Sequence, residues 1–153
     1  VYAYVAAKDK KEMEKEAEEF YKAASPYKPT YYWLDVEEKT MKDMNAGVEA
    51  FRAKLQALGA KNIGLYIGTY FMEEHSISTD KFTALWIPTY GFDDGYYNAA
   101  PDTNTEYDLH QYTSQGQLNG FSHYLDLNQI APTQDQEAIY RKLFKVQKDN
   151  SSS

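Results

Sequence analysis

The segment Tyr31-Tyr32-Trp33-Leu34-Asp35-Val36-Glu37-Glu38 ends an apolar run with two acids two residues apart, Asp35 and Glu37. Side chains alternate along an extended chain, so both carboxyl groups point to one face. A carboxylate at the end of an apolar strand is partly desolvated, and a second acid beside it disfavours double ionisation. Both effects raise one pKa, which is the condition for a general acid working near neutral pH. Two residues of strand span roughly 6.6 Å between Cα atoms. Retaining glycosidases hold their carboxyl groups roughly 5–5.5 Å apart and inverting ones roughly 6.5–9.5 Å. Side-chain splay moves the separation either way, so spacing alone leaves the stereochemistry open. A solvated loop pair is the alternative reading of D-x-E by itself.

The elements around this pair must place it at a strand end. Val1–Ala6 is a short β-rich run. Lys8–Ala24 carries Met13, Ala17, Phe20 and Tyr21 at helical spacing with charges between them, the pattern of a solvated helix face over an apolar stripe. Ser25, Pro26 and Pro29 break that helix. Tyr31–Val36 reads as a strand buried on both faces of a parallel sheet. A second amphipathic helix shows Met44, Val48, Phe51, Leu55 and Leu58 on one stripe, with Gly59 as terminator. A strand is expected over Asn62–Tyr66 and on to Tyr70, a short helical turn over Ser78–Phe82, and a strand over Ala84–Tyr90. This alternation predicts an α/β fold, a parallel βα-barrel or a doubly wound sheet. Beyond Gly91 a Gly-, Asp-, Asn- and Pro-rich loop runs to Thr105. Strand-like Tyr107–Tyr112, a turn near Gln115-Gly116, strand-like Tyr124–Leu127 and a helix over Gln136–Val146 follow. In a βα-barrel the active site is built at the C-terminal ends of the strands, where Asp35 and Glu37 fall.

Composition removes other chemistries. The chain has 153 residues with a formal charge of −7, from 16 Lys and Arg against 23 acids. That balance argues against nucleic acid, whose phosphates require a clustered basic face. There are no cysteines, which excludes disulfides, thiolate catalysis and Cys-type zinc sites. No stretch approaches the roughly 20 apolar residues of a membrane span. His75, His110 and His123 lack the spacing of a zinc motif, and no serine-hydrolase elbow, P-loop or dinucleotide fingerprint occurs. No cofactor or metal is expected. The 15 tyrosines offer flat apolar faces with polar tips, suited to sugar rings, and packing within the fold is their ordinary alternative use.

The order WLDVE, amphipathic helix, NIGLYIGTYF, TALWIPTYG and HQYTSQGQLNGFSHYLDLNQI resembles the glycoside hydrolase family 25 lysozymes. The most specific piece is the last, a Q-Y-T-S-x-G run, a Gly and a terminal D-L-N. The likeness covers roughly residues 1–130, and residues 131–153 are left as a C-terminal helix and polar tail or linker. It implies a TIM-like (β/α) barrel, irregular in its C-terminal half. It implies a muramidase that cleaves the β-1,4 bond between N-acetylmuramic acid and N-acetylglucosamine in peptidoglycan glycan strands. Glu37 would be the proton donor, and Asp35 would orient or stabilise an intermediate formed by the substrate's own acetamido group, an exception to the two-carboxylate scheme. Asp126, in the D-L-N, corresponds to a further acid at the barrel mouth. Tyr66, Tyr70, Trp86 and Tyr90 would face the sugar groove, with Gln111 and Tyr112 at a strand end near it.

One departure stands out. Family members begin with a D-x-S-x-x-x-G strand whose Asp lines the site, whereas VYAYV resembles the family's third strand. Two strands of an eight-stranded barrel are then expected upstream of Val1. A barrel relic that binds cell-wall glycan without cleaving it is the alternative from another class. The implied location is extracellular, at the cell wall, or that of a phage endolysin released from its host. A downstream cell-wall-binding domain is compatible with the polar C-terminus.

Overall fold

The computed structural model describes residues 1–117, 123–132 and 134–144. One six-stranded sheet runs in chain order: β1 (Tyr2–Tyr4), β2 (Tyr32–Val36), β3 (Ile63–Ile67), β4 (Ala84–Pro88), β5 (Leu109–Gly116) and β6 (Leu125–Ile130). The pairings from β1 to β5 are parallel, and β6 returns antiparallel to β5. Helix α1 (Lys10–Ala24) connects β1 to β2, α2 (Met44–Leu58) connects β2 to β3, and α3 (Thr69–Glu74) follows β3. Helix α4 (Gln136–Phe144) closes the described chain. The fold is mixed α/β.

The helices start where their caps dictate. The Asp9 side chain accepts from the Glu12 N–H at 2.8 Å, and Asp43 accepts from the Ala46 N–H at 3.0 Å. Each such cap satisfies a backbone donor with no intrahelical partner and contributes about 1 kcal/mol. Gly59, at φ +123°, ends α2 as expected.

Strand alternation then divides the sheet into two faces. Tyr32, Leu34 and Val36 of β2, Leu65 and Ile67 of β3, and Leu85 and Ile87 of β4 join Met13, Ala17, Val48, Phe51 and Leu55 of α1 and α2 in the main core. The opposite face carries Trp33 and Asp35, the first of which packs on a smaller cluster of Tyr31, Ala84, Ile139 and Leu143. Thus α4 covers one end of that second face.

Two expectations change and a third narrows. The strand expected to run on to Tyr70 stops at Ile67; Gly68 then caps α3, which buries Met72 and lifts Tyr70 into solvent. The short helical turn expected over Ser78–Phe82 is a single hydrogen-bonded turn over Thr79–Phe82. Gln115-Gly116 does not turn but continues β5 through two register shifts, and a Cβ on Gly116 would lie 2.4 Å from Leu127. Glycine there lets β6 approach closely. Of the motif in residues 110–130, positions 118–122 lie outside the described residues, as do residues 145–153, which take in the end of the expected helix and the polar tail.

Candidate active site

Register assembles the site. Tyr4, Asp35, Tyr66 and Trp86 follow one another as cross-strand partners over β1 to β4, so their side chains share a face. One row nearer the strand N-termini, Tyr2 pairs with Trp33 and Trp33 with Gly64. A Cβ on Gly64 would lie 2.4 Å from the Trp33 ring, so the glycine makes the bed in which the indole lies. The two rows open onto a cavity of about 190 Å³ lined by Tyr2, Trp33, Asp35, Glu37, Tyr66, Trp86, Gln111 and Asp126. Its floor is aromatic: Trp86 meets Trp33 edge-on with centroids 5.4 Å apart and Tyr66 at 4.9 Å, while Trp33 stacks on Tyr31 at 5.4 Å.

The acids differ in their surroundings. Asp35 lies partly buried within β2, whereas Glu37 is exposed just past the strand end. Burial, with the neighbouring Glu37 charge second, pushes the Asp35 carboxyl up to about 6. Its Oδ1 is buried and has no hydrogen-bond partner among the described residues. An unmet acceptor in an open cleft is a position for a donor on a bound molecule. The neighbouring Glu38 carboxylate first, then burial and the other nearby acids, pushes the Tyr4 hydroxyl up to about 12. Tyr66 donates to Gln111 Oε1, and burial followed by its hydrogen bond with Tyr90 raises its hydroxyl far above the usual tyrosine range. No cation lines the cavity among the described residues, and no group of three metal-ligating side chains occurs among them.

Of the residues singled out in the sequence, Asp35, Glu37, Tyr66, Trp86, Gln111 and Asp126 come together in this cleft. Tyr90 is not among the lining residues, although its hydroxyl lies close enough to that of Tyr66 to shift it. Tyr70 is 88% exposed on α3 and is not among the lining residues. Tyr112 packs with Tyr97 and His110, on the side of β5 away from Gln111. Trp33 and Tyr2 line the cleft although their sequence context does not single them out. For Trp33 a signal exists, since it sits two residues before Asp35 and shares its face.

The chain has known counterparts in sequence and fold. The family model for Glycosyl hydrolases family 25 matches residues 1–121. A solved structure described as a glycosyl hydrolase 25 virulence factor of Streptococcus pneumoniae, participating in host cell invasion, is 64% identical with a TM-score of 0.91; the match covers 94% of this chain and 63% of that one. The catalytic domain of endolysin ply40 from bacteriophage P40 of Listeria monocytogenes is 26% identical with a TM-score of 0.75, over 93% of this chain and 69% of that one. The Clostridium perfringens spore cortex lytic enzyme SleM, 21% identical, shares the fold with a TM-score of 0.66 over 86% of this chain and 48% of that one. No curated protein matches the chain. The chain thus spans less than two thirds of the pneumococcal protein it matches. With the family model covering most of its length, the chain belongs to family 25 of the glycosyl hydrolases.

Proposed function

We propose that this protein hydrolyses peptidoglycan as a muramidase, cleaving the β-1,4 bond between N-acetylmuramic acid and N-acetylglucosamine. The observation that carries the reading is the cleft: Asp35, Glu37 and Asp126 converge over a floor of Trp33, Tyr66 and Trp86. Aromatic faces pack against the apolar faces of pyranose rings, and carboxyl groups at the rim supply the acid–base chemistry. The neighbours that are named endolysin and spore cortex lytic enzyme accord with a cell-wall substrate.

In this reading Glu37, exposed at the rim, gives its proton to the glycosidic oxygen as the bond from C1 to that oxygen breaks. The carbonyl oxygen of the 2-acetamido group closes on C1 from the other face. The unpartnered Asp35 Oδ1 accepts the acetamido N–H and balances the positive charge that develops there. Glu37, now a carboxylate, takes a proton from water as the water oxygen adds to C1, and the acetamido group is restored. The anomeric configuration is retained. Asp126 lies across the cleft as a further acid that holds substrate hydroxyls.

The test is digestion of purified cell walls by the full-length protein, with reducing ends identified after borohydride reduction. Muramitol as the new end supports the reading; glucosaminitol assigns the other bond. Binding to walls without new reducing ends supports a glycan-binding module instead.

A further inference from the structure

Two amides on the antiparallel pair tie down two aromatics on the parallel strands. Tyr66 and Trp86 are register partners across β3 and β4, and Gln111 and Asn128 are register partners across β5 and β6. Tyr66 donates to Gln111 Oε1, and the Trp86 Nε1–H donates to Asn128 Oδ1 at 2.7 Å. The anchors differ in redundancy. Trp33 is wedged between Gly64 and Tyr31, and Tyr66 has both Gln111 and Tyr90 at its hydroxyl. Trp86 meets its two ring neighbours edge-on and has Asn128 at its nitrogen. Edge-on contacts leave a ring free to rock about its Cβ–Cγ bond, whereas a hydrogen bond at the far nitrogen fixes the plane. An indole N–H only donates, so the amide must present its oxygen, which makes the contact orientation-specific.

We propose that Asn128 is a positioning residue: it fixes the plane of Trp86 in the glycan-facing floor, so that glycan affinity depends on an amide that does not itself stack on the sugar. The proposal rests on the glycosidase reading for its ligand but not for the tether. Without the tether, binding must order the indole as well as the sugar, and affinity falls by about fivefold, the equivalent of one neutral hydrogen bond.

The test uses ¹⁵N-labelled protein, with the Trp86 indole resonance assigned by its loss in Trp86→Phe. The ligand is the β-1,4-linked tetramer of N-acetylglucosamine. Asn128→Leu, and Asn128→Ala as a second truncation, are expected to move the Trp86 indole proton upfield and weaken tetramer binding about fivefold. Asn128→Asp, which keeps an acceptor oxygen, restores most of both. In the Trp86→Phe background, Asn128→Leu is expected to add no further loss, because the interaction it removes is already gone. An unmoved indole resonance overturns the proposal. So does a loss of equal size in the Trp86→Phe background, which would mean that Asn128 touches the sugar directly. The resonance is read without ligand, so it decides the tether even if the wild-type protein ignores the tetramer, an outcome that counts against the glycosidase reading alone.

Discussion

At the scale of single residues, Asp35 sits in a sheltered position and Glu37 in an open one, and the proposed mechanism gives them different roles. Glu37→Gln keeps the shape of the side chain and removes its proton, and is expected to lower wall-lysis turnover by roughly two to four orders of magnitude. Release of reducing ends over time measures this, and near-wild-type lysis would reassign the donor. Asp35 yields a pH prediction. Its carboxyl is pushed up to about 6, above its ordinary value, so the folded state holds that proton more tightly than the unfolded chain. The associated stability is fully present at low pH and is lost as pH rises through about 6. The proposed orienting role needs the ionised form, so lysis is expected to decline as pH falls through the same value. Asp35→Asn should abolish most lysis yet raise stability at pH 8 by about 1 kcal/mol, a value reduced for the solvent that still screens a half-buried carboxyl. Thermal melts at pH 3 and pH 8 check the sign, since the gain should shrink as pH falls through about 6 and vanish only below the ordinary aspartate value of 3.8. Period-two alternation makes this pair legible in the sequence itself. The same rule sorts Gln111, at the cleft, from Tyr112, which packs with His110; adjacent strand residues cannot both face it.

Among the elements, α4 bears on the site although it lies beyond the residues that match the family model. Its Ile139 and Leu143 bury against Tyr31 and Ala84, and Tyr31 stacks under Trp33. Lys142 reaches the buried Asp108 carboxylate at 2.8 Å, and the other oxygen of that carboxylate accepts the Leu85 N–H at 2.8 Å. The helix is therefore a footing for the aromatic floor. Leu143→Ala is expected to cost about 2–3 kcal/mol, from lost burial plus the cavity left behind. It should also broaden the tryptophan emission of Trp33 before global unfolding. Urea titration followed by fluorescence and by far-ultraviolet circular dichroism separates the two: coincident curves would show that α4 supports the fold and not the floor in particular. Helix periodicity reveals that a helix forms here, but not where it docks. Docking depends on Tyr31 and Ala84, far away in sequence. The reversed β6 is hidden for a similar reason, because strand direction is set by how a connection returns and leaves no mark on alternation. The apolar run NIGLYIGTYF reads as strand through Tyr70; Gly68 ends the extended stretch, and the change to helix carries the ring outward.

For the whole molecule, the feature with the largest consequence is the outer edge of β1. The Trp33 N–H donates to the Val1 carbonyl, and the Val5 N–H donates to the Asp35 carbonyl, so the polar groups of alternate residues face β2. By the same alternation the backbone N–H groups of Tyr2 and Tyr4 face outward, where no strand pairs with them among the described residues. Val1 and Tyr2 are 52% and 70% exposed beside that edge. An unpaired edge flanked by apolar side chains is a template for another strand. This chain spans 63% of the pneumococcal protein it matches. A polypeptide of these 153 residues produced alone is therefore expected to self-associate through β1. Tyr2→Pro removes one outward N–H without disturbing the inward ladder and should lower association at least severalfold. Light scattering behind size exclusion, across a hundredfold range of concentration, measures both proteins. A monomer throughout that range would mean that the edge is protected as it stands. The same edge carries Tyr2 and Tyr4 beside the cleft. Strand addition at β1 is thus expected to restrict access to Asp35 and Glu37, and lysis per milligram should fall as association rises.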